Sequence, residues 1–267
     1  MSLSPLVGRY DQLILDLDGC IYVGDEPVPG SVAAVEALRS HGKALAFATN
    51  NSRQATEDYV TKLWGLGIQA SVTDVVTVGG AMQHLLAETR GGRTAFVIGT
   101  EAMHRHVTDA GLRILNGTDL ASRAEVVVVG GTDELSYDDL RSAALALRRG
   151  ADFLATGRDP TYPQPDGLWP GTGALVAAIE VASGREAVIV GKPQPQLFLT
   201  ALDRLGEGST LVVGDTLEGD IAAAAGAGLD AALVLTGHTS AADVESLDSD
   251  APRPVKVAES LATLVEG

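Results

Sequence analysis

Short apolar runs alternate with stretches in which apolar residues recur every three or four positions, through nearly the whole chain. The runs read as strands buried on both faces and the stretches as amphipathic helices. Together they predict β-α-β units and a parallel sheet covered on both sides. The first run, LILDL at 13–17, leads to a helix from Ser31 to His41, which Gly42 is placed to end. ALAFAT (44–49) follows as a strand, then a helix with Tyr59, Val60, Leu63 and Leu66 on one face, then VVTV (75–78) and a helix after Gly80.

A middle section carries strands of its own at 94–99, 125–131 and 151–156. Between the last two lies a helix that opens on a capping box of Ser136 and Asp139. The proline- and glycine-rich stretch GRDPTYPQPDGLWPGTG (157–173) reads as a loop, long enough to suggest function. From 186 the first theme resumes: a helix near 195–205, strands at 209–215 and 231–235 with a helix between them, and a terminal strand and helix. The expected fold class is therefore α/β, a doubly wound, Rossmann-like core formed by 1–80 and 188–267. A second α/β unit at 81–187 is inserted into it.

The composition narrows the function. At 267 residues and 45% hydrophobic content, with a mean hydropathy of +0.16, the chain is long and apolar enough to bury a sizeable core. A formal net charge of −16 excludes the broad basic surface that nucleic acids or anionic membranes require. A small anionic substrate stays compatible, because a local cation can reverse the field inside one pocket. No apolar run is long enough to span a membrane and the N-terminus has no signal-peptide pattern, so a cytoplasmic location is expected. Cys20 is the sole cysteine, which rules out an internal disulfide; it reads as a small packed residue.

Ligands of open parallel sheets bind beyond the carboxyl ends of the strands, where the strand order reverses. Here the first strand ends in Asp16, Asp18 and Gly19, the second in TNNS (Thr49 to Ser52), and a later one in GDTLEGD with Asp215 and Asp220. GKP places Lys192 just before a helix start. If Asp16, Asp18 and Asp215 meet at one sheet edge, each pair ~4 Å apart repels by about 4 kcal/mol at an effective dielectric near 20. A hard divalent cation with oxygen ligands, Mg²⁺, removes that cost. Lys192, Thr49, Asn50 and Asn51 then offer donors to phosphoryl oxygens. Alone, Asp-x-Asp after a strand is as often a turn in which the carboxylates cap backbone amides.

As a set, DLDG, TNNS, GKP and GDTLEGD resemble the four motifs of the haloacid dehalogenase-like phosphohydrolases. The likeness is to the branch that holds NagD, the p-nitrophenyl phosphatases, the pyridoxal phosphate phosphatases and the glycerol phosphate phosphatases. It runs from about residue 10 to 240 and includes the stretch beginning ATGRDP, similar to that branch's substrate-side cap loop. The resemblance implies a nucleophile at Asp16 that forms an aspartyl phosphate, and a general acid and base at Asp18. It further implies Mg²⁺ held by Asp16, the Asp18 backbone carbonyl and Asp215. Thr49 and Lys192 would hold the phosphoryl group and Asp220 would support the metal or the lysine.

Two positions depart from the branch. Gly219 stands where threonine is usual, and Gly157 where asparagine or aspartate is usual. The expected activity is a Mg²⁺-dependent phosphomonoesterase for a small phosphorylated metabolite, with 81–187 as the cap and Tyr162 facing substrate. Low aromatic content (4%) favours glycerol phosphate or a sugar phosphate over pyridoxal phosphate or a nucleotide monophosphate. A phosphometabolite-binding sensor on the same fold is the non-enzymatic alternative, and a homodimer through the cap is left open. His104 and His106, two apart on a helix, face different ways and read as surface residues. GAGLDA (226–231) lies between a helix and a strand, the reverse of a dinucleotide fingerprint.

Overall fold

The computed structural model describes residues 3–164 and 167–266, with the backbone alone at 162–164. In chain order, β1 (Gln12–Asp16) is followed by the hairpin of β2 (Tyr22–Val23) and β3 (Glu26–Pro27), then α1 (Ser31–Ser40), β4 (Ala44–Thr49), α2 (Thr56–Gly65) and β5 (Val75–Thr77). Next come α3 (Val78–Arg90), β6 (Thr94–Ile98), α4 (Glu101–Asp109), β7 (Arg113–Ile114), β8 (Val126–Val129), α5 (Tyr137–Arg148) and β9 (Asp152–Ala155). The hairpin of β10 (Thr161–Gln164) and β11 (Gly167–Pro170) precedes α6 (Thr172–Ser183) and β12 (Val188–Ile189). The chain ends with α7 (Gln196–Leu205), β13 (Thr210–Gly214), α8 (Ala222–Gly226), β14 (Asp230–Val234), α9 (Ala241–Glu245), β15 (Lys256–Ala258) and α10 (Leu261–Val265).

Two compact units result. The first comprises 1–49, 56–76 and 192–267, and the second 50–55 and 77–191. The first holds a six-stranded sheet in the order β15-β14-β13-β1-β4-β5. Its strands run parallel, Leu15 lying opposite Val213 on one side and Phe47 on the other. From β1 the chain winds outward through β4 and β5, then returns to the other flank through β13, β14 and β15. The order therefore reverses between β1 and β13. β1, β13 and the inner part of β4 are buried throughout, as expected of strands covered on both faces. Leu13, Leu15, Phe47, Leu211 and Val213 form the heart of that core with Leu38, Tyr59 and Leu63 from the helices.

The second unit is also wound both ways, as a five-stranded sheet in the order β12-β9-β8-β6-β7. Val126–Val129 at its centre are fully buried. The capping box at Ser136 and Asp139 is present at the start of α5. Two sequence expectations change here. The stretch 157–173 is not a structureless loop: it contains the β10–β11 hairpin, and α6 begins within it. The inserted unit also includes 50–55, a segment expected in the core at 1–80. Ser52 Oγ accepts from the Gly131 amide (3.1 Å) and from the Thr156 hydroxyl (3.2 Å), and Arg53 pairs with Asp133 at 2.6 Å.

Candidate active site

Three strand ends in the first unit meet at the reversal of strand order. β1 delivers Asp16, β4 delivers Thr49 in the neighbouring register, and β13 runs into Asp215. Beyond Asp16 the chain turns sharply. Gly19 adopts φ +82°, and its amide donates to the Tyr22 carbonyl at 2.8 Å to start the β2–β3 hairpin. Leu17 is fully buried, whereas Asp18 points out of the core and is exposed. A strand followed by a tight turn thus presents two carboxylates at one edge, the first buried and the second open to solvent.

Lys192 binds the cluster together. Its Nζ donates to Asp16 Oδ1 at 2.6 Å and to Asp220 Oδ1 at 2.6 Å, with its side chain 7% exposed. Asp220 Oδ2 accepts from the amides of Asp215 (3.2 Å) and Thr216 (3.1 Å) and from the Thr216 hydroxyl (2.7 Å). Asp220 sits in a single turn of π-helix, Leu217–Ile221, that follows β13. Asp215 lies in a glycine bed. A Cβ at Gly237 would overlap its Oδ2, and one at Gly19 would lie 2.5 Å from it. The His238 amide donates to that oxygen at 2.7 Å, and the Thr236 hydroxyl donates to the Gly19 carbonyl at 2.5 Å.

The electrostatics follow from this packing. Burial raises the Asp16 carboxyl well above the usual carboxylate range, against Lys192, while Asp220 and Asp215 add to the rise. Lys192 is pulled the other way. Burial opposes its charge, but Asp16 and Asp220 outweigh it and hold the ammonium protonated. Desolvation of its carboxyl group raises Asp18 as well, against Lys62 and Lys192. A carboxyl raised above its ordinary range gives up its proton less readily to water, which suits a group that must hold one for a leaving oxygen.

A divalent cation fits this donor set. One oxygen from each of Asp16, Asp215 and Asp220 lies within 4.8 Å of the others. The three residues are at most 5% exposed, and among the described residues Lys192 is the one ammonium bonded into the cluster, so a single positive charge faces three carboxyl groups. Both Asp220 oxygens already carry donors, which leaves Asp16 and Asp215 as the carboxylates free to ligate and Asp220 as the support of the lysine.

Asn50 and Asn51 belong to the second unit. A Cβ at Gly191 would sit 2.5 Å from Asn50 Oδ1, and Asn51 Oδ1 accepts from the Arg53 amide at 3.0 Å. Tyr162 lies in β10 opposite Trp169, and its side chain is outside the described residues. Where branch members carry a polar side chain, Gly157 leaves space that the Asp159 carboxylate approaches: a Cβ at 157 would lie 3.0 Å from its Oδ2. His106 is half-buried and bonds Gln83 at 2.7 Å, so it packs between α3 and α4 instead of sitting on the surface. Cys20 is fully buried, which pushes its thiol up and away from reactivity. Gly19 was singled out in the sequence, whereas Gly237 and Thr216 were not. The signal for Gly237 was a glycine just past a strand end, in LTGHT.

Comparison with known proteins agrees with this geometry. Residues 13–113 match the haloacid dehalogenase-like hydrolase family, and residues 189–264 match a HAD-hydrolase-like family. A D-glycerol 3-phosphate phosphatase of Mycobacterium tuberculosis is 36% identical over 98% of this chain and 73% of its own length. An acid sugar phosphatase of Staphylococcus aureus is 31% identical over 89% of this chain and 91% of its own. The crystal structure of glycerol phosphate phosphatase from Mycobacterium tuberculosis in complex with magnesium superposes with a TM-score of 0.89, covering 98% of this chain and 78% of that one. With both halves of the core matched and relatives this similar along nearly its whole length, the chain belongs to the haloacid dehalogenase-like hydrolases.

Proposed function

We propose that the chain is a Mg²⁺-dependent phosphomonoesterase, acting on a small phosphorylated polyol or sugar through a phosphoryl-aspartate at Asp16. The observation that carries this reading is the buried Asp16–Lys192–Asp220 chain beside Asp215, with Asp18 open to solvent two residues away. Asp16 attacks the phosphorus, forming an O–P bond as the ester O–P bond breaks. Asp18 gives its proton to the departing alkoxide oxygen. Asp18, now a carboxylate, takes a proton from water as that water attacks the phosphoryl-aspartate, and inorganic phosphate and free Asp16 result. Lys192 and Thr49 hold the phosphoryl oxygens in line. Asp16, Asp215 and the Asp18 carbonyl would hold Mg²⁺, which would supply charge compensation for the phosphoryl group.

In this reading the inserted unit at 50–55 and 77–191 carries the choice of leaving group, since the phosphoryl-binding residues meet a part common to every substrate. Two relatives, named for D-glycerol 3-phosphate and for acid sugar phosphates, support a polyol or sugar phosphate. The same reading places the enzyme in the cytoplasm, where its one buried cysteine stays reduced. The test is phosphate release across glycerol 3-phosphate, hexose phosphates, pyridoxal phosphate and nucleoside monophosphates. The expected result is the highest kcat/KM on a polyol or sugar phosphate. Binding without release of phosphate from any of them would replace the enzyme by a sensor.

A further inference from the structure

Gly219 and Thr216 occupy one another's space. An ideal Cβ on Gly219 would overlap Thr216 Oγ1 and lie 3.4 Å from Thr216 Cβ. That hydroxyl is engaged twice: it donates to Asp220 Oδ2 at 2.7 Å and accepts from the Asp220 amide at 3.0 Å. Asp220 is fully buried, and its other oxygen accepts from Lys192. The other donors to Oδ2 are the backbone amides of Asp215 and Thr216, at the end of β13. With Lys192 on Oδ1, the Thr216 hydroxyl is, among the described residues, the one side-chain donor to Oδ2, and it holds the carboxylate rotation from the side away from the lysine.

We propose that Thr216 is the positioning residue of the Asp16–Lys192–Asp220 chain, and that Gly219 is the opening that admits its hydroxyl. A threonine at 219, usual in this branch, and a hydroxyl at 216 in this rotamer exclude one another. Held at Oδ2, Asp220 aims Oδ1 at Lys192, which in turn keeps its ammonium on Asp16 and available to the phosphoryl group. The inference rests on the phosphomonoesterase reading of Asp16 and Lys192.

The test is a double-mutant cycle with a conservative rescue. Thr216→Ala removes the hydroxyl without adding volume, and kcat should fall about 10- to 100-fold while KM stays within about twofold, as for other residues that orient a catalytic group from behind. Thr216→Ser restores the hydroxyl and should recover kcat to within about threefold. Gly219→Ala leaves Thr216 in place but drives its hydroxyl off Asp220, and helix propensity favours the alanine, so the fold is kept while kcat falls. In the Thr216→Ala background there is nothing for that Cβ to displace, so Gly219→Ala should add no further loss. Full activity in Thr216→Ala, no recovery in Thr216→Ser, or additive losses in the double variant would each overturn the proposal. Asp16→Asn serves as the control: if it stays active, the reading of the site fails and this inference with it. If it is inactive while Thr216→Ala is unimpaired, this inference alone fails.

Discussion

At the scale of single residues, the two aspartates of DLDG do different work because one residue of spacing places them in different surroundings. Asp16 is the last residue of a buried strand and touches Lys192, whereas Asp18 lies past the turn and reaches solvent. Asp16→Asn is expected to end turnover, since an amide is too weak a nucleophile to form the acyl phosphate, with the melting temperature held or raised because a carboxylate is removed from a buried acidic cluster. Asp18→Asn is expected to depend on the leaving group. Loss should be small for nitrophenolate, which departs without a proton, and about 10²–10⁴-fold for an alkyl phosphate. The two rates across a series of esters measure this; equal losses for good and poor leaving groups would remove the acid role from Asp18. Both residues were legible in the sequence because DLDG comes with TNNS, GKP and GDTLEGD at other strand ends; alone, Asp-x-Asp is as often a capped turn. Thr216 was not, because the meaning of its hydroxyl depends on the missing side chain at 219.

At the scale of elements, the hairpin β2–β3 follows Asp18 with Tyr22 buried in the core, and one cation braces its exposed end. Lys62, from α2, donates to the Gly24 carbonyl at 2.6 Å, lies 3.4 Å from Asp25 and 4.0 Å above the Tyr22 ring. Such contacts at a partly exposed site are worth about 1 kcal/mol together. Lys62→Ala should therefore leave the global melt nearly unchanged. Amide exchange at Gly19 and Val28, whose amides close the turn and the hairpin, should become about fivefold faster, the equivalent of that energy. Unchanged exchange there would show that the turn holds without the lysine. Long elements were readable for a simple reason: β1, β8 and β13 are uninterrupted apolar runs buried on both faces. The β10–β11 hairpin was not. β11 is exposed along its length and both strands contain proline, so neither alternation nor a continuous apolar run marks them. Segment 50–55 escaped for a related reason, since hydrogen bonds of Ser52 and Arg53 tie it to the second unit and hydropathy does not record them.

At the scale of the whole molecule, stability should depend on what neutralises the site and on pH. Adding Mg²⁺ at about 100 times its dissociation constant should stabilise the fold by about 2.7 kcal/mol, through binding to the native state alone. EDTA should abolish both that gain and the activity. In Asp215→Asn the thermal shift should shrink, because one of the two free carboxylates is gone; an undiminished shift would place the ion elsewhere. The alkaline side turns on Tyr10, whose hydroxyl donates to Asp230 Oδ2 at 2.7 Å and ties the N-terminal segment to β14. Burial, aided by that bond and the nearby carboxylate, pushes its phenol up from 10.0 to about 12. The unfolded chain then loses this proton first as pH rises. The contribution of Tyr10 is whole below pH 10 and drains away between about pH 10 and 12, at no more than about 1.4 kcal/mol per pH unit for one proton. Tyr22 and Tyr59, also raised by burial, add to the wild-type slope in the same direction. Tyr10→Phe removes one titrating group and leaves those two in place. Its unfolding free energy, measured by urea titration at pH 9, 10, 11 and 12, should start below that of the wild type and fall less steeply, so that the two curves converge toward pH 12. Parallel curves would show that Tyr10 ionises equally in both states and that its bond to Asp230 does not hold the N-terminal segment in place.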